Sequence, residues 1–277
     1  MKNILIPYNF SGAAINALNY TKQLFKEVEV NICLLNVYVS QPSEMLSDEE
    51  NEKWFNEMDN EIEEELKYLI DVLKREGANF NYDYVVASNS LTKAVKNTVR
   101  EKNIDVIIAG TKGAKGLAET FIGTNAMKII NTINECPILV VPMHYKYKPL
   151  HQIVFSTNFK RKFTIKELQF LINLCVLKKC MLEVVSLSEE NFLSENQQRN
   201  KVKLRELLQE LNVVYEKLDW KDSETITLEE HIEETESELL VLINHKHNFF
   251  NRLLDENVLK KSAFHSKIPI LILPEIV

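Results

Sequence analysis

Glycine is scarce in this chain. There are six in 277 residues, four of them lie between Gly110 and Gly123, and none follows. Glycine is wanted where a backbone must take positive φ or let a ligand approach main-chain N–H groups. The remainder of the chain therefore has no glycine-rich loop with which to cradle a phosphate. Neither a Walker A motif nor G-x-G-x-x-G occurs, which removes the main support for P-loop and dinucleotide-binding readings. The four cysteines include no C-x-x-C pair. Cys33 lies in an apolar strand pattern and Cys175 in an apolar helix pattern, as buried thiols of a reducing compartment do. Cys136, just before Pro137, is open to either a buried or an exposed reading, without a basic neighbour to activate it. No apolar stretch approaches the roughly 20 residues that span a bilayer, and no nucleophile-elbow motif marks a hydrolase. The net charge is −7, from 33 basic and 40 acidic residues. That balance argues against a nucleic-acid surface. Met1 to Pro7 begins on a strand pattern unlike a signal peptide, so the expectation is a cytoplasmic protein.

What the chain does contain is a repeat. Ile4-Leu-Ile-Pro-Tyr-Asn-Phe-Ser11 matches Ile153-Val-Phe-Ser-Thr-Asn-Phe-Lys160. Helix patterns follow at 12–27 and about 161–178, then apolar strands at 31–37 and 181–185. Charged helices come next at about 47–76 and 189–211, strands at 82–86 and 213–218, and amphipathic helices at 91–101 and 225–235. The halves close on Pro137-Ile-Leu-Val-Val-Pro142 and Pro269-Ile-Leu-Ile-Leu-Pro274. A repeat of this length, about 140 residues, is a whole domain. Alternating strands and helices imply a parallel sheet covered on both faces. The expected architecture is two tandem doubly wound α/β domains, 1–146 and 150–277, each a mostly parallel five-stranded sheet. The polar linker between them, His144 to Leu150, is short enough to fix them as a pseudo-dimer.

The glycine cluster reads Gly110-Thr-Lys-Gly113-Ala-Lys-Gly116, then Gly123-Thr124. It follows the apolar run Asp105-Val-Ile-Ile-Ala109 and precedes a helical segment starting at Asn125. A buried strand, a glycine turn and a helix start form a phosphate-binding geometry at the carboxyl edge of a sheet. Gly123 and Thr124 would offer N–H groups and a hydroxyl, although Thr124 is equally readable as an N-cap. Lys112 and Lys115 would add charge or simply be solvated.

The spacing Gly110-x2-Gly113-x9-Gly123-Thr124, with both flanking strands, resembles the nucleotide-binding signature of the universal stress protein family. The resemblance covers the whole chain as a tandem pair. It implies an adenine-nucleotide α-hydrolase-like fold that binds ATP or another adenine nucleotide, with or without magnesium. By the resemblance, Pro7, Tyr8 and Asn9 would line the ribose and base, and Val37 would offer its backbone to the adenine. Ala109, Gly110, Gly113, Gly123, Thr124, Asn125 and Ala126 would complete the site. The family usually carries Asp where this chain has Asn9, and an amide lacks the charge that attracts a divalent cation.

In the second half the matching segment runs from Asn244 to Asn257, and Asp255 and Glu256 stand where Gly123 and Thr124 would. Carboxylates there repel phosphate, and Phe249 and Phe250 would fill the space of a ligand. This half is expected not to bind a nucleotide in the same manner. His245, His247 and His265 are a candidate zinc set, weighed against ordinary loop histidines. His231 falls on a charged helix with no partner visible in the sequence. The acidic segment 44–76 reads as the solvated face of a helix whose core face is Trp54, Met58, Ile62, Leu66, Leu69 and Leu73.

The resulting expectation is a stress-response regulator binding a nucleotide through its first domain, with the second as structural partner. A nucleotide-free scaffold acting through an unidentified protein, and a weak ATPase or self-phosphorylating protein, are the alternatives. A homodimer is a further possible assembly, and neither nucleic acid nor membrane is expected as a partner.

Overall fold

The computed structural model describes residues 2–38, 45, 47–76, 79–88, 90–111, 123–187, 193–244 and 267–275. The first half runs β1 (Asn3–Pro7), α1 (Gly12–Leu24), β2 (Val30–Val37), α2 (Asp48–Arg75), β3 (Phe80–Ala87), α3 (Leu91–Glu101), β4 (Val106–Thr111), α4 (Thr124–Thr132) and β5 (Ile138–Pro142). The second runs β6 (Gln152–Ser156), α5 (Ile165–Lys178), β7 (Met181–Leu187), α6 (Glu195–Leu207), β8 (Val213–Leu218), α7 (Glu224–Glu234), β9 (Leu239–Ile243) and β10 (Ile270–Leu273).

All ten strands form one sheet, in the order β3-β2-β1-β4-β5-β10-β9-β6-β7-β8. Within each half every pairing is parallel. The halves join where β5 and β10 pair antiparallel, with Val140 opposite Ile270 and Leu139 opposite Leu271. The alternation of side chains sorts the core into two layers. Ile4, Ile6, Ile32, Leu34, Leu139 and Leu271 face the layer beneath α1, α2, α5 and α6. Leu5, Leu35, Ile107, Val140, Leu240 and Ile270 face the layer beneath α3, α4 and α7. Strands buried on both faces read as continuous apolar runs, as Val106–Ile108 and Leu239–Ile243 do.

The repeat extends to unusual backbone. Phe10 and Phe159 both adopt left-handed φ, 57° and 55°, and so do Asn103 and Glu236, 47° and 51°. The Asn9 and Asn158 side-chain oxygens each accept an N–H two residues on, from Ser11 and Lys160. Such Asx turns stabilise the chain reversal that leads from the strand towards the helix. A carboxylate also ties the start of each half's first strand. Asp105 Oδ2 accepts the N–H groups of Lys2 and Asn3 at 2.6 and 3.0 Å, and Glu238 Oε2 those of His151 and Gln152, both at 2.9 Å.

The connecting segment is less polar in effect than its sequence implies. Tyr145 and Tyr147 lie 6.1 and 5.3 Å from the Tyr20 ring on α1, and Leu150 is buried. Asn16 Nδ2 donates to the Pro142 and Tyr145 carbonyls. Cys136 is buried, as are the other three cysteines, and belongs to the core layer beneath α3 and α4. Helix α5 begins at Ile165, later than its apolar pattern suggests, because Thr164 and Glu167 form a reciprocal capping box there.

Candidate functional site

The order β3-β2-β1-β4-β5 reverses direction between β1 and β4, and open α/β sheets leave a crevice beyond the strand ends at that point. A cavity of about 430 Å³ opens there. Ten of the eleven residues expected from the sequence line it: Pro7, Tyr8, Asn9, Val37, Ala109, Gly110, Gly123, Thr124, Asn125 and Ala126. The eleventh, Gly113, lies outside the described residues, as do Gly116, Lys112 and Lys115. Ser11, Ala13, Ala14, Leu35, Leu91, Thr111 and Ile129 complete the wall and were not singled out by the sequence. Small residues at the start of α1 and apolar ends of strands carry no motif of their own.

Each glycine in the wall has a distinct physical reason. A Cβ on Gly110 would lie 2.0 Å from the Ala13 carbonyl oxygen and 2.4 Å from its carbon. The first turn of α1 therefore rests directly on the backbone of β4, and only glycine admits it. Gly123 is different: its φ of −61° and ψ of 155° are open to any residue. It is the N-cap of α4, and Thr124 is the first helical residue, so the reading of Thr124 as the cap does not hold. Gly123 has no side chain to cap the helix, which leaves the first-turn N–H groups to other acceptors. Most other helices carry a side-chain cap: Ser11, Ser47, Thr164, Ser194 and Ser223 each accept a first-turn N–H. The exceptions are α4 and α3, whose first residue, Leu91, is also in the wall.

Two further groups matter. The Thr111 hydroxyl is buried and has no hydrogen-bond partner among the described residues. Its counterpart by strand register, Asn244, donates from Nδ2 to the Ile130 carbonyl of the opposite half at 2.8 Å. Tyr8 donates its N–H to the Leu35 carbonyl, and its own carbonyl accepts from Asn36 Nδ2, which fixes the turn at the end of β1. Burial pushes the Tyr8 phenol up, so it is a neutral hydroxyl at ordinary pH.

The same turn in the second half is closed over. Helix α6 lies on it, with Gln197 Nε2 donating to the Asn158 carbonyl and Asn200 Nδ2 to that of Phe159. The segment that contains His245, His247, Phe249, Phe250, Asp255, Glu256 and His265 lies outside the described residues. His231 does have partners, contrary to the sequence reading. Its Nε2 lies 3.0 Å from Glu183 Oε2, a contact 48 residues apart in sequence and invisible without the fold.

The sheet order and the cavity at its reversal define a doubly wound α/β protein with two tandem halves. A family model described as the universal stress protein family matches residues 1–142. The chain belongs to the universal stress protein family. The universal stress protein YxiE of Bacillus subtilis (strain 168) is 24% identical over 144 residues, covering 50% of this chain and 97% of that protein. The crystal structure of a universal stress protein from Archaeoglobus fulgidus DSM 4304 superposes with a TM-score of 0.73 at 15% identity, covering 98% of both chains. A functionally unknown protein from Pseudomonas aeruginosa PAO1 gives a TM-score of 0.56 at 13% identity, covering 99% of this chain and 92% of that one. Both structural likenesses run through the two halves, so the tandem fold is shared beyond the segment that the family model matches. No helix among the described residues is long and apolar enough to cross a membrane.

Proposed function

We propose that the first half binds ATP or a related adenine nucleotide in the cavity at the β1/β4 reversal, and that the second half is a structural partner that binds none there. The chain then acts as a nucleotide-responsive stress regulator of the cytoplasm. The observation that carries this reading is the convergence of ten separately expected residues, from four stretches of sequence, on one cavity. The uncapped first turn of α4 supplies donors for phosphate oxygens, as helix N-termini do. Pro7, Tyr8 and Val37 give an apolar wall suited to an adenine ring. Asn9 weakens the case for a resident magnesium ion. Its side-chain oxygen is engaged by the Ser11 N–H at 3.3 Å, and no carboxylate stands in its place.

The test is binding of a labelled ATP analogue to the full chain and to Gly123→Asp. The backbone at Gly123 accepts aspartate without strain, so the variant should keep its thermal stability while its carboxylate repels phosphate. A loss of about tenfold or more is expected, the equivalent of roughly 1.4 kcal/mol. Equal binding by both proteins, or none by the wild type, would overturn the reading in favour of a nucleotide-free scaffold. Release of inorganic phosphate from bound ATP would show hydrolysis in addition to binding.

A further inference from the structure

The second half contains a charged cluster that the fold does not require. Glu183 on β7 is 4% exposed, and Gln152 Nε2 donates to its Oε2 at 2.7 Å. His231, on α7 above it, is 8% exposed and places Nε2 3.0 Å from the same oxygen. Glu216 on the adjacent edge strand β8 completes the group, and the three ligand atoms all lie within 4.8 Å of one another. A cavity of about 200 Å³ opens beside them, lined by Glu216, Thr227, His231 and Glu234 among others.

The internal repeat supplies a control for this position. Strand register aligns Ile4 with Ile153, so Glu183 corresponds to Cys33 and Glu216 to Val85. The left-handed residues Asn103 and Glu236 align α3 with α7, which pairs His231 with Thr98. The same place in the same fold is thus built once from Cys, Val and Thr and once from Glu, Glu and His. Burying a carboxylate is costly unless something compensates it, and packing demands no carboxylate here.

We propose that Glu183, Glu216 and His231 form a binding site for a divalent transition-metal ion of the zinc class, with an open coordination position facing the cavity under α7. One imidazole nitrogen and two carboxylate oxygens are a donor set that zinc accepts, and three protein ligands with a vacant fourth position are its pattern at sites that take a further ligand. Tetrahedral zinc with bonds of about 2.0–2.1 Å sets neighbouring donors roughly 3.3 Å apart. The separation between His231 Nε2 and Glu183 Oε2 is already close to that. Gln152 Nε2 also holds Glu183, the kind of outer contact that orients a ligating carboxylate. Two carboxylates with a neutral imidazole also balance a doubly charged ion. Lys221 at the rim is engaged by Glu230 and Glu234.

The experiment uses the full chain, stripped with EDTA and dialysed against zinc chloride, with bound metal measured per chain. One zinc per chain is expected at this site, with a rise in melting temperature on loading. Glu216→Gln and His231→Gln should each weaken that site beyond the roughly 10–100-fold loss that a supporting residue costs. A variant replacing His245, His247 and His265 together should keep it. Cobalt loaded in place of zinc should give visible absorption bands that His231→Gln removes. Because Glu216 is exposed, its amide variant tests the site even where His231→Gln does not fold. Absence of zinc from the loaded wild type, or undiminished zinc in Glu216→Gln, would overturn the proposal. So would loss of all bound zinc in the triple-histidine variant.

Discussion

Phe10 and Phe159 hold the same left-handed backbone at the same point of the repeat, yet Phe10 is 36% exposed and Phe159 is 1% exposed. In the second half α6 covers the turn, and Lys201 Nζ lies 5.4 Å from the centre of the Phe159 ring. In the first half the turn stays open beside the cavity, and the Phe10 ring meets only Tyr8 edge-on at 5.2 Å among the described aromatic contacts. Truncation should therefore separate the two halves. Phe159→Ala should destabilise the protein by about 3–5 kcal/mol, as buried Phe deletions do. Phe10→Ala should cost less, since its ring already stands partly in solvent. Urea unfolding of the two variants measures the difference, and equal losses would contradict the asymmetry.

Gly110 and Gly123 should respond oppositely to the same substitution. Alanine at Gly110 drives a methyl into the Ala13 carbonyl, which is backbone and cannot swing aside. The first turn of α1 must lift from β4, at a cost of about 1–3 kcal/mol or more. The displaced turn carries Ala13 and Ala14 out of the cavity wall, so ligand binding should fall with stability. At Gly123 the φ and ψ are open to alanine, and its effect on melting should be small. A differential scan of the two variants, with nucleotide titrations alongside, checks both statements.

How much of this was legible in the sequence depends on the range of the interactions involved. The strand and helix order, and the place of the cavity, followed from local patterns that need no partner: apolar runs, glycine spacing and the Asn-Phe turns. The reason for Gly110 was not legible, because the atom that excludes a side chain belongs to Ala13, 97 residues earlier in the chain. The Glu183–His231 contact was hidden in the same way: Glu183 reads as one charge in an apolar strand and His231 as one more polar residue on a charged helix. The linker misled for another reason. Its Tyr and Lys alternation looks solvated, while Tyr145 and Tyr147 pack their rings on Tyr20.

Glu167 is the centre of a buried polar knot in the second half. Its side chain is fully buried, it closes the capping box with Thr164, and Arg161 Nη1 donates to its Oε1 at 2.7 Å. Two other Arg161 nitrogens, Nε and Nη2, are buried with no hydrogen-bond partner among the described residues, and a second carboxylate near the guanidinium, that of Glu275, is 3.9 Å from Nη1. Glu167→Ala should cost about 3–5 kcal/mol, because it leaves the partly buried Arg161 only a 3.9 Å pair with Glu275 and removes one arm of the capping box of α5. Glu167→Gln keeps the cap acceptor and loses the charge, so it should fall between. Denaturant midpoints of the three proteins rank them.

Alkali should weaken the fold, because it ionises thiols and phenols in the unfolded chain before it ionises the same groups buried in the folded protein. Burial pushes the Cys33 and Cys136 thiols up from 9.0 to about 12, and the Tyr82 and Tyr215 phenols up from 10.0 to about 12. In each case the folded protein favours the neutral, protonated form. The stability these groups contribute is fully present below their unfolded values and is lost as pH rises towards their folded ones. The window is therefore about pH 9 to 12 for the thiols and pH 10 to 12 for the phenols. Urea midpoints should be flat with respect to these groups from pH 7 to 8.5 and fall steadily above 9. Cys33→Val, which keeps an apolar side chain of similar size on β2, should reduce the slope between pH 9 and 10, where the thiols begin to titrate in the unfolded chain ahead of the phenols. An unchanged slope in that variant would assign the alkaline loss elsewhere. The same thiols should resist alkylation at pH 8 in the native state and react at an ordinary rate once unfolded, since the thiolate is the nucleophile.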